Sequence, residues 1–184
     1  RNPAHNVQLG GDNVIFSQMA SAPNCSATDR GRRAGNQADF RNLVRLGQMH
    51  NILHVTGGYP VEPVDIHPAV RHLECLRDFV LLTDKAFHAY SLGRERNLDG
   101  IEIARIGRGV PMEQFVREPS LLTIINTNSP LKLDIPMMEG IIQMASHGQV
   151  VIVTPFTLAG AMAPVTVAGA LVQQNAEALA GIAF

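Results

Sequence analysis

Leu121-Leu-Thr-Ile-Ile-Asn126 is a short apolar run closed by Thr127-Asn-Ser-Pro130. Val150-Val-Ile-Val-Thr154 repeats the pattern and is closed by Pro155-Phe-Thr157. Between the two, Asp134 stands where a helix running to about His147 needs its N-cap. Short apolar strands that alternate with helices mean a parallel sheet covered by helices. Toward the amino terminus the same rhythm continues. Leu121–Asn126 is preceded by helical stretches at Glu95–Gly107 and around Pro111–Arg117, then by a strand at Ala86–Tyr90. Before these come a helix over Pro68–Thr83, with Val70, Leu73, Leu76, Phe79 and Val80 inward, and a strand at Ile52–Thr56. Gln37–His50 is helical through Phe40, Leu43, Val44 and Leu46. Toward the carboxyl terminus, Pro164 suits the first turn of a last helix.

The fold class is therefore α/β: a helix and four βα units over residues 36–184. Residues 1–35 add a hairpin over His5–Phe16, turning at Gly10-Gly-Asp-Asn13, and a polar loop over 17–35.

Composition narrows the function. The chain has 184 residues, 46% hydrophobic and 17% charged, which excludes intrinsic disorder. Fifteen basic residues balance sixteen acidic ones, and no basic stripe exists, which argues against nucleic acid or an anionic membrane as partner. The stretch between Glu139 and Glu177 carries no Asp, Glu, Lys or Arg. Pro155, Pro164 and several amides and threonines interrupt it, so it reads as a buried strand and a small-residue helix rather than a membrane span. Gly169, Ala170, Ala176 and Ala180 would let that helix pack closely. The chain has two cysteines, Cys25 and Cys75, and no signal peptide, which suits a reducing, cytoplasmic setting.

No phosphate-binding glycine motif and no nucleophile elbow is present. Gly57-Gly58 could let a ligand approach closely or form a tight turn, and Asp29-Arg-Gly-Arg-Arg33 could bind an anion or form a solvated, salt-bridged loop. His72 and Cys75 could offer two zinc ligands. The neighbouring Leu73 and Leu76 instead make Cys75 a core thiol.

What remains is the set of strand ends. In parallel α/β folds, sites sit at the carboxyl ends of the strands. His54, Tyr59, His88, Tyr90, Asn126, Asn128 and Phe156 would gather there. His54 and His88 could serve as metal ligands, proton carriers or satisfied core histidines. Aromatic faces suit a quaternary ammonium, although they could equally fill the mouth of a barrel. Asn126 and Asn128 can hold a carboxylate or a hydroxyl.

The strand-end segments carry a family resemblance. Gly10-Gly-Asp-Asn13, Pro23-Asn-Cys25, Asp29–Arg33, Asn51–Pro60, Ala89–Arg94, Ile125–Leu131, Val153–Thr166 and Gln173–Gly181 resemble the trimethylamine methyltransferase (MttB-like) family, as does Arg1-Asn-Pro-Ala4. The resemblance spans essentially the whole chain. It implies a (β/α)8 (TIM) barrel, of which this chain covers about the first half. It implies methyl transfer from a methylated amine, such as trimethylamine or glycine betaine, to the Co(I) corrinoid (cobalamin) of a separate partner protein. No cofactor bound to this chain and no resident metal are expected. The pyrrolysine that some members carry is expected beyond Phe184, and a half barrel could pair with a second copy as a homo-oligomer. Two other readings stand beside it: a non-catalytic fragment or binding module of a barrel protein, and a zinc-dependent methyltransferase.

Overall fold

A computed structural model describes residues 2–184. Arg1, part of one family segment, lies outside the described residues. The protein is mixed α/β with parallel strand pairing, and its residues form two compact units.

The first unit holds the residues up to Ala89 together with Asp99–Met112. Strand β1 (Ser17–Gln18) pairs in parallel with β4 (Val55–Thr56), and Val55 bridges in parallel to Ala86, just before β5 (Phe87–His88). Helix α1 (Gln37–Met49) starts at a capping box: the Asn36 side chain accepts from the Asp39 N–H, and the Asp39 carboxylate accepts from the Asn36 N–H. Arg33 donates to the same Asp39 carboxylate from both terminal guanidinium nitrogens, Nη1 and Nη2, at 2.5 and 2.6 Å. The other end of α1 is capped by Lys85, which is 5% exposed and donates from Nζ to the Gly47 and His50 carbonyls at 2.8 Å each. This buried lysine satisfies carbonyls that a helix end leaves unpaired.

Helix α2 (Pro68–Leu82) begins on Pro68 and packs on α1. Phe40 and Phe79, both fully buried, meet with ring centroids 5.2 Å apart, and Phe79 stacks on Phe87 at 5.6 Å. Helix α3 (Arg94–Arg108) approaches α2 closely, because Gly107 leaves room for Val80. Val70, expected inward, is instead 45% exposed, and Leu46, counted in the helical spacing of α1, is 48% exposed; each sits beyond the edge of its helix's buried stripe.

The hairpin expectation needs correction. Gly10 and Gly11 do adopt positive φ (91° and 61°), and Asn13 Nδ2 donates to the Gly10 carbonyl. No strands flank that turn, since Leu9, Val14 and Phe16 stay exposed and have no core to bury in. The antiparallel pair lies in the segment read as loop: β2 (Asn24–Ala27) with β3 (Gly31–Ala34). Gly31, at φ 63°, closes its three-residue turn.

The second unit holds Tyr90–Leu98 and Glu113–Phe184. After the short α4 (Met112–Arg117), strand β6 (Leu121–Thr127) pairs in parallel with β7 (Val150–Pro155), from Leu122 opposite Val150 to Thr127 opposite Pro155. Helix α5 (Ile135–Ser146) starts on Asp134, whose side chain accepts from the Met137 N–H, as the sequence indicates. Helix α6 (Val167–Ala183) starts later than expected: Thr166 is its N-cap, and Pro164 lies outside it. Its close approach to the sheet is made by Gly181 against Val153, not by Ala176 or Ala180, which are exposed. No helix among the described residues is long and apolar enough to cross a membrane.

The amino ends of β6 and β7 are tied by one amide. Buried Gln149 accepts from the Ser120 and Leu121 N–H groups through Oε1, and donates through Nε2 to the Phe115 and His147 carbonyls. Such bracing belongs to the stability end of a parallel sheet and leaves the carboxyl ends for function.

Candidate active site at the carboxyl ends of the strands

Within the first unit, three expected site residues are placed separately. His54 precedes β4, so it stands at the amino end of that strand; this corrects the reading that put it at a strand's carboxyl end. Its Nδ1 accepts from the Phe16 N–H at 3.0 Å, and its ring stacks on Phe16. Tyr59 is buried in the aromatic core, edge-on to Phe40 with centroids 5.6 Å apart, and hydrogen-bonds Cys75. Its ring is therefore spent on packing, because the turn after β4 folds it under α1 and α2. His88 is 2% exposed and donates from Nδ1 to the Gly57 carbonyl at 2.8 Å. Gly57 itself lies against Ser17 and the Gln18 carbonyl, so the Gly57-Gly58 pair serves a close chain crossing.

The cysteine–histidine pair is not a ligand pair. His72 faces Asp99 at 2.8 Å, whereas Cys75 is buried and its thiol is pushed up to about 12 by burial and by the nearby Glu62 and Asp78 carboxylates. Among the described residues, no group of three or more His, Cys, Asp or Glu is placed to share an ion.

Burial lowers the pKa of His88 to about 4, against the pull of its bond to Gly57, so the ring is neutral near pH 7. An unfolded histidine titrates near 6.5, so below that pH the unfolded state takes up a proton that the fold refuses. Stability is thus expected to fall as pH drops from about 6.5 to about 4, with a loss of about 2 kcal/mol from this group by pH 5. Denaturant titrations of the protein and its His88→Asn variant between pH 7 and 5 check this. Parallel pH slopes for the two proteins would remove His88 as the cause.

In the second unit the carboxyl ends carry a different set. Along β6, Thr123, Ile125 and Thr127 are buried on one face, the face that meets α5 and α6: Ile125 lies against Gly140 and Thr127 against Glu177. Asn126 points to the opposite face and is exposed. Directly across the pair stands Thr154, whose Oγ1 donates to Asn126 Oδ1 at 2.6 Å. That bond orients the amide through its oxygen and does not use the two Nδ2 hydrogens. Phe156 directly follows β7, two residues after Thr154, and is 55% exposed. Tyr90 is half-buried. Asn128 does not join this face chemically. Its Oδ1 accepts from the Asp134 N–H at 3.0 Å and its N–H bonds the Lys132 carbonyl, so it shapes its own loop and a shallow hollow with Leu131, Lys132 and Leu133.

Two residues to which the sequence reading gave no site role hold this end together. Glu177 of α6 is 5% exposed, and its carboxylate accepts from the Thr127 and Ser129 hydroxyls, the Leu131 N–H at 2.9 Å and Gln173 Nε2 at 2.9 Å. Burial pushes this carboxyl up, but the four donors outweigh it and hold its pKa down at about 2. Gln173 also donates to the Met162 carbonyl at 2.7 Å. The signal in the sequence was an isolated acid, four residues after a glutamine, in an otherwise uncharged helix.

The family model for trimethylamine methyltransferase (MTTB) matches residues 1–184. Glycine betaine methyltransferase of Desulfitobacterium hafniense (strain Y51) is 39% identical over 187 residues, covering 100% of this chain and 38% of that protein. Trimethylamine methyltransferase MttB of Desulfitobacterium hafniense (strain DSM 10664 / DCB-2) is 28% identical over 189 residues, covering 99% of this chain and 36% of that protein. The chain thus spans less than two fifths of the length of either relative. The match covers the strand-end segments that build the Asn126–Thr154 pair and the Glu177 cage, and the chain belongs to the trimethylamine methyltransferase family.

Proposed function

We propose that this chain contributes to methyl transfer from a carboxylate-bearing quaternary amine, of the glycine betaine type, to the Co(I) corrinoid of a partner protein. The observation that carries the reading is the Thr154–Asn126 bond. It leaves two amide hydrogens aimed away from the helices, a donor pair suited to a carboxylate. The exposed ring of Phe156 at the end of β7 suits a trimethylammonium group, which has no hydrogen to donate. The higher identity to the glycine betaine enzyme than to the trimethylamine enzyme supports the same choice.

In the reaction one N–CH3 bond breaks, and its electron pair stays on nitrogen. The amine so released is neutral at that nitrogen, so no acid is needed to assist its departure. The residues of this chain orient one methyl group and keep water away. The corrinoid, brought by its partner, supplies the nucleophile that accepts the methyl group. The proposal places residues 1–184 in a (β/α)8 barrel completed by further segments, with the face bearing Asn126 and Thr154 turned to the barrel interior. It also places the reaction in the cytoplasm.

Methyl transfer from glycine betaine and from trimethylamine to added Co(I) cobalamin, by the full-length protein, tests it. Turnover of glycine betaine well above trimethylamine is expected. Turnover of neither, or of trimethylamine alone, would overturn the reading.

A further inference from the structure

We infer that Glu177 is a positioning residue: from α6 it locks the loops that follow β6 and β7 and so fixes where the Asn126 amide is presented. This rests on the proposed role of Asn126 as a substrate contact.

The geometry is specific. Thr127 is the next residue after Asn126, and its hydroxyl ends on Glu177. Ser129 and the Leu131 N–H bind the same carboxylate. Leu131 has φ 55°, a left-handed backbone that leucine rarely adopts, and its side chain is 72% exposed. Side-chain burial therefore does not hold that conformation; the bond from its N–H to Glu177 does so together with the Asn128–Lys132 bridge that closes the loop. Gln173 then extends the lock to the second loop, since it binds both Glu177 and the Met162 carbonyl. One helix turn thus ties Thr127–Leu131 to the Phe156–Ala163 segment. A neutral residue in place of Glu177 would loosen both loops without touching a substrate atom.

The test uses the full-length protein and three variants. Glu177→Gln keeps the size and removes the charge. It is expected to raise KM for glycine betaine roughly tenfold while kcat changes less than about twofold, because a displaced amide weakens ground and transition states alike. Gln173→Ala cuts one strand of the lock, and a smaller rise in KM is expected. Leu131→Gly, added to Glu177→Gln, removes the left-handed penalty and should bring KM part of the way back down. Hydrogen exchange at the Leu131 amide should quicken at least about tenfold in Glu177→Gln.

An unchanged KM in Glu177→Gln would overturn the inference, as would a kcat that falls in step with the folded fraction. So would a double variant no better than the single one. If the parent protein turns over no glycine betaine, the functional reading fails by itself. Exchange at Leu131 then decides the lock alone: unchanged exchange overturns it, and faster exchange supports it.

Discussion

Phe40→Ala is expected to destabilise the protein by about 3–5 kcal/mol, enough to unfold much of the first unit at moderate denaturant. Phe40 is fully buried: it meets Phe79 at 5.2 Å and Tyr59 edge-on at 5.6 Å. Its removal forfeits the transfer free energy of the ring and leaves a cavity that two other rings cannot collapse into without abandoning their own contacts. Phe40→Leu keeps most of the volume and should cost under half as much. Denaturant unfolding followed by circular dichroism measures both. A cost near 1 kcal/mol for the alanine variant would show that the aromatic cluster is not the centre of this core.

The second large effect concerns chemistry. Asn126→Asp preserves shape and the acceptor for Thr154 but turns the outward donor pair into a carboxylate oxygen. A substrate carboxylate would then meet a like charge in place of two hydrogen bonds. The specificity constant for glycine betaine is expected to fall roughly 30–100-fold. Trimethylamine has no carboxylate, so any turnover of it should change less than about threefold. Steady-state kinetics with both amines decide the matter. Equal losses on the two substrates would mean that Asn126 supports the strand end and does not read the carboxylate.

Much of the architecture was legible because it is local. The expected helix over Gln37–His50 is α1 at Gln37–Met49, and that over Pro68–Thr83 is α2 at Pro68–Leu82. In each case a cap or a proline marks the start and a run of buried residues marks the inner face. Asp134 as a cap and the strand expected over Leu121–Asn126, which is β6 at Leu121–Thr127, were readable for the same reason. The amino-terminal hairpin was misplaced because turn chemistry alone does not make strands. Gly10-Gly11 forms the turn, yet its flanking residues have no apolar face to bury against.

The site was less legible. Asn126 and Phe156 could be picked out by their place after apolar runs. Tyr59 carried the same signal and proved to be core, since position after a strand does not say which way a ring turns. Asn128 carried it too and caps its own loop. Glu177 stood out as an isolated acid, but the sequence could not show what it binds. Its partners Thr127 and Ser129 are 50 and 48 residues away, and only the fold brings them together. Thr154 is seen as a partner of Asn126 only once the register of β6 and β7 is known.

Helix α6 is built inside out. Its polar residues Gln173 and Glu177 turn toward the sheet, whereas Leu171, Val172, Leu179 and Ile182 are 57%, 72%, 55% and 70% exposed. Beside it, β7 has a strand partner on one side among the described residues. A formal net charge of −1 adds little colloidal repulsion between copies. The charge that most helix surfaces spend on staying dispersed in water has here been moved indoors to hold two loops still.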